Sequence, residues 1–97
     1  MSYYVVCWFR QDGMTAITLD TTSGEHIILV HSDQQIAMQV MNVASRTSHQ
    51  AVAIMTLDMP KEKALNVLRQ HHDGREELAF PEDPRYLIML NQVFDIR

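Results

Sequence analysis

The chain has 97 residues, of which 46% are hydrophobic and 21% charged, and eight Lys and Arg against twelve Asp and Glu give a formal charge of −4. That length and apolar content suit one domain, residues 1-97, whose core needs neither a disulfide nor a structural metal, and they exclude a disordered chain. The basic residues are scattered, which removes the concentrated positive field of a duplex-binding surface, and no apolar run nears the ~18 to 20 residues that span a bilayer.

Tyr3 to Phe9 combines aromatic and β-branched residues at strand length and stops at Gln11-Asp12-Gly13, whose Asp-Gly pair predicts a type I′ hairpin. Cys7, the lone cysteine, lies inside this run between Val6 and Trp8, which offer no base to activate it. An inert strand thiol in a cytoplasmic protein is expected. Thr15 to Asp20 alternates, with Thr15, Ile17 and Leu19 on one face, as a half-solvated strand does. After the turn residues Thr21 to Glu25, His26 to His31 is too continuously apolar for an exposed edge and is expected at the centre of the meander.

Ser32 and Gln35 have the spacing of a capping box, and Ile36, Ala37, Val40, Met41, Val43 and Ala44 recur at three and four residues. They predict a helix from Asp33 to Ala44, followed by a loop over Arg46 to Gln50. Ala51 to Leu57 reads as a buried strand. Pro60 then opens a helix to His72 with Ala64, Leu65, Val67 and Leu68 on its apolar stripe and Gly74 ending it. Asp83-Pro84 is a cap and first-turn pair for a third helix carrying Leu87, Leu90 and Phe94, with a strand at Tyr86 to Leu90 as the competing assignment. The fold class is therefore α+β: an N-terminal three-stranded antiparallel meander plus a further strand, with two or three helices packed on one sheet face.

No phosphate loop, nucleophile elbow, His-Glu-x-x-His or Cys-x-x-Cys is present, so no catalytic residue, cofactor or metal is assigned. His71-His72-Asp73 is the densest polar cluster, but neighbouring helical residues diverge by about 100° and converge poorly on one ion. A helix C-terminus accounts for both histidines. His26 and His31, five apart on a strand, face opposite sides, and a site joining His31 to His49 would require the start of the first helix to meet the loop after it. Asp12 and Asp58 stand at segment ends where turns and caps already require Asp.

Met38 departs from the stripe set by Ile36, Val40 and Val43 and widens the apolar face of the first helix. Met38, Met41 and Trp8 are the expected partner contacts. The leading expectation is thus a small, acidic, non-enzymatic protein-interaction or regulatory module that forms a homodimer, with a possible protein partner and no nucleic-acid or membrane partner. The alternative is a small-molecule-binding domain or small enzyme whose pocket forms between chains from Trp8, Tyr3, Tyr4 and a histidine.

Overall fold

A computed structural model describes residues 1–70 and 75–95. The elements run β1 (Ser2–Arg10), β2 (Gly13–Ala16), β3 (Leu19–Asp20), β4 (His26–Leu29), α1 (Gln34–Ser48), β5 (Val52–Asp58), α2 (Lys61–Arg69), β6 (Glu77–Ala79) and α3 (Pro84–Phe94). The architecture is α+β, with three helices and two small sheets ordered β2-β1-β5 and β3-β4-β6.

β1 is the longest strand, and its partners lie antiparallel on both sides: Trp8 opposite Thr15 in β2, and Val6 opposite Ile54 in β5. The hairpin between β1 and β2 differs from the expected type I′ turn. Its two loop residues are Gln11 and Asp12, neither of which has positive φ, while Gly13 follows at φ 126° and pairs with Arg10. Glycine supplies the unusual φ after the turn rather than inside it.

The strand expected over Thr15 to Asp20 is divided. β2 pairs with β1 as far as Ala16, and Ile17 N–H still donates to Val6 O at 3.0 Å. The chain then leaves β1, and Leu19 pairs with Ile27 in β4. As its apolar run requires, β4 lies between two neighbours, antiparallel β3 and parallel β6. Beyond β4, His31 and Tyr4 exchange backbone N–H···O bonds of 2.7 and 2.8 Å, an isolated antiparallel bridge that ties the second sheet to β1.

Unbroken apolar runs in β1 and β4 give both sheet faces something to bury. Val6, Ile27 and Leu29 pack with Ala37, Val40 and Val43 of α1 and with Tyr86, Met89, Leu90 and Val93 of α3. Tyr3, Val5, Cys7, Ile28 and Val30 turn the other way, toward Ala64 and Leu68 of α2, Leu57 and Phe80. Two helices, α1 and α3, therefore share one face, and α2 covers the opposite one.

Local chemistry sets the helix ends. The Ser32–Gln35 capping box does not form: Asp33 is the N-cap of α1, and its Oδ1 accepts from Gln35 N–H at 2.9 Å. α1 also runs beyond Ala44 to Ser48, where the Thr47 and Ser48 hydroxyls donate to the carbonyls of Val43 (2.9 Å) and Ala44, and His49 closes the helix at φ 57°. Left-handed geometry at a non-glycine cap is uncommon, and His is among the residues that tolerate it. Pro60 precedes α2 as its N-cap, whereas the expected end at His72 and the Gly74 stop lie outside the described residues.

Asp83 caps α3 through Arg85 N–H at 3.0 Å, and the segment is helix rather than strand. Its buried stripe is Tyr86, Met89, Leu90 and Val93; of the expected Leu87, Leu90 and Phe94, Leu90 is in it and the other two are exposed. The cap fixes the phase of the helix, and that phase turns Leu87 and Phe94 outward. Arg85 also reaches Asp83 (2.8 Å), Glu25 (2.9 Å) and Glu77 (2.8 Å), pinning the start of α3 to the turn before β4 and to β6. Its hydrogen bond holds the Asp83 carboxyl below the usual carboxylate range.

Candidate functional site: an apolar pocket at the seam between the sheets

The departure of the chain from β1 at Ile17 opens a gap between β1 and β4 that the Tyr4–His31 bridge closes only at one end. A pocket of about 210 Å³ occupies this gap. Val6 and Trp8 of β1, Ile17 to Leu19 at the bend, and Leu29 and His31 at the end of β4 form its floor. Its roof is α1, through Val40, Val43, Ala44 and Thr47, with Val93 of α3 at the side. Small and β-branched residues on α1 hold the helix close without filling the space beneath it.

No charged side chain lines the pocket. Its distinctive polar group is His31, which is 1% exposed and is the one buried polar or charged residue among those described. His31 Nδ1 lies 2.7 Å from the Tyr86 hydroxyl, and the two rings meet edge to face with centroids 5.5 Å apart. Burial lowers the His31 pKa to about 4, so the imidazole is neutral near pH 7. Burial, and then the nearby Asp33 carboxylate, raise that of Tyr86, which keeps its proton. Thr47 donates its hydroxyl hydrogen to Val43 O and so keeps only acceptor capacity, while Thr18 and Trp8 complete the polar part of the lining.

These groups suit binding better than reaction. A base with a pKa near 4 takes up a proton poorly at neutral pH, and its partner is a phenol rather than a carboxylate. Cys7, expected to be an inert strand thiol, faces the α2 side, is fully buried and has its pKa raised to about 11 by that burial.

The residues singled out in the sequence are dispersed. Trp8 and His31 meet at the pocket within one chain, whereas Tyr3 lies on the α2 side and Tyr4 only packs against the α1 side. His26 is exposed and bonded to Asp20, and His49 is the C-cap of α1, the far end of the helix from His31, so no His31–His49 site forms. His71, His72 and Asp73 lie outside the described residues. Among those described, no group of three or more His, Cys, Asp or Glu could hold a metal ion. Asp58 accepts a hydrogen bond from Ser2, and Asp12 sits in the first turn. Met38 is 46% exposed, and Met41 packs partly into the core.

Tyr86 is the site residue that sequence reasoning missed. Its signal was a lone aromatic in the first turn after Asp83-Pro84, but its partner stands 55 residues away. A wider depression of about 510 Å³ near the N-terminus is lined by Met1, Pro81 and Glu82 among others. It is larger, yet its rim is exposed and its buried member, Tyr3, already donates its hydroxyl to Met1 Sδ, so the pocket beneath α1 is the better site.

No family model, no curated protein and no solved structure gives a significant match to this chain.

Proposed function

We propose that the protein is a non-enzymatic, small-molecule-binding module whose site is the pocket beneath α1. The observation that supports this most is a pocket without a charged wall, into which one nearly fully buried, neutral histidine projects a polar edge. Ligand sites are typically apolar clefts with a few placed polar groups. At about 210 Å³ the space is below that of a drug-sized ligand, and it suits a compact molecule somewhat larger than benzene. The pocket is complete within one chain, so the site needs no oligomer.

A thermal-shift screen with small, uncharged, apolar compounds tests this reading. A ligand present at a hundred times its Kd stabilises the fold by about 2.7 kcal/mol, which raises Tm visibly for a chain of this size. Ala44→Phe fills the pocket from its roof and abolishes the shift while the fold remains. A library that leaves Tm untouched defeats the proposal.

A second reading, a protein-interaction face, draws on different residues. Leu87 and Ile88 on α3 are 60% and 58% exposed, and Met38 on α1 adds to the exposed apolar surface. Such surface favours a partner, and a two-fold homodimer is the simplest one. Light scattering over a concentration series decides it: dimerisation that Leu87→Glu with Ile88→Glu abolishes supports this face, and a monomer at hundreds of micromolar removes it. The buried, unpaired thiol of Cys7 accords with a cytoplasmic setting for either reading. No helix among the described residues is long and apolar enough to cross a membrane.

A further inference from the structure

The hydrogen-bond inventory around His31 specifies more than a pocket. Among the described residues, Tyr86 is the hydrogen-bond partner of Nδ1, and Nε2 has none. Nε2 is nevertheless not sealed within the protein, and the ring lines the pocket wall. Two arrangements of the pair are possible. If Nδ1–H donates to the Tyr86 oxygen, the buried phenol hydrogen is left without a partner. If the phenol donates to Nδ1, both buried groups of the pair are satisfied, and the Nε2–H is turned to the pocket. Each unsatisfied buried polar group is costly, so the second arrangement is preferred. His31 then turns an N–H donor toward a wall that carries no charge and whose other polar side chains are Trp8, Thr18 and Thr47.

We infer that the pocket selects an uncharged ligand in which a compact apolar body carries a hydrogen-bond acceptor, such as a ketone carbonyl, and that His31 Nε2–H, the buried donor of the lining, recognises it. The inference rests on the small-molecule-binding reading and adds the chemical class. Hydrocarbons fit the walls but leave the donor unsatisfied. Carboxylates bring a charge into a space with no cation to meet it, and that charge loses its hydration on entry. A carbonyl satisfies the donor at little desolvation cost.

Three probes of nearly one shape separate these cases: acetophenone, α-methylstyrene, in which a methylene replaces the carbonyl oxygen, and benzoate. Titrated into isotopically labelled protein at pH 7 and followed by amide shifts, acetophenone is expected to bind roughly tenfold more tightly than α-methylstyrene, the value of one hydrogen bond. Benzoate is expected to bind weakest. His31→Phe should equalise acetophenone and α-methylstyrene. Long-range nitrogen spectra of wild-type His31, which need no variant to fold, should show the neutral Nε2–H form and a shift at Nε2 on adding the ketone. Equal binding of ketone and olefin, benzoate binding tightest, or an Nδ1–H tautomer each overturns the inference while leaving the pocket a binding site. Failure of all three probes to bind removes the binding reading as well.

Discussion

The two faces of the sheet are built from alternate residues of the same strands, yet they are finished differently. Toward α2, Val5, Cys7, Val30 and Leu68 are at most 1% exposed, and Tyr3 meets Phe80 edge to face at 5.3 Å. Toward α1 and α3, Ile27 and Ala37 are buried just as fully, but a pocket remains and the buried polar pair His31–Tyr86 sits at its edge. A chain that fills one face to this degree does not lack the side chains to fill the other. The open space follows from the bend at Ile17 and the small residues of α1, and it is why the proposed binding site is placed on the α1/α3 face.

The largest test of this contrast is pH. His31 has a native pKa near 4 against an unfolded value of 6.5, so below pH 6.5 the unfolded chain binds a proton that the native state refuses. Stability contributed by the neutral, buried ring is therefore complete above pH 6.5 and lost as pH falls toward 4. The loss is on the order of 3 kcal/mol. Urea midpoints across that range should decline in the wild type and flatten in His31→Phe; equal pH slopes would show that His31 is not the group responsible.

Adjacent residues on one strand supply the next test. Val5 faces the filled side and Val6 the pocket. Val5→Ala should cost about 2 kcal/mol or more, because a new cavity opens in a closed core. Val6→Ala merely enlarges an existing space and should cost about 1 kcal/mol. Chemical denaturation of the two variants side by side measures the difference, and equal costs would erase the distinction between the faces.

Smaller effects sharpen the comparison by lying off both faces. Gly13 has φ 126° with nothing within 4 Å of an added Cβ, so Gly13→Val strains backbone alone and should lower stability by about 1 kcal/mol, leaving ligand binding intact. An unchanged unfolding midpoint removes the strained-glycine account. Met38→Glu, on the exposed flank of α1, should change stability by less than about 0.5 kcal/mol. A larger loss in its melting curve would place Met38 in a packed interface.

What the sequence made legible was governed by local chemistry. Asp83-Pro84 announced α3, the apolar runs announced β1 and β4, and the three- and four-residue spacing announced α1 and α2. The failures have physical causes of equal clarity. β6 is three residues long and includes Ala79, a weak strand former, so it exists because Ile28 offers it a parallel edge and not because of its own propensity. The phase of α3 was misread because Leu87 and Phe94 are more hydrophobic than Tyr86, whereas the cap and the His31 partner decide which side faces in. The site shared this limit: Trp8 and His31 were singled out, but no local pattern joins His31 to Tyr86 or foretells the gap at Ile17.

Each sheet has a central strand with one neighbour close in sequence and one far away: β1 has β2 and then β5, and β4 has β3 and then β6. During synthesis the first half of the chain can therefore build two hairpins but complete neither sheet. Both central strands wait with a bare edge until Val52 to Asp58 and Glu77 to Ala79 emerge, and a bare apolar edge is where one chain pairs with another. The ordering cost of closing those long loops is met before their contacts form, so folding should be slow for a chain this short and should reach completion in one late, cooperative step. A fragment ending at Gln50 would carry both hairpins and neither completed sheet, and it should aggregate rather than fold.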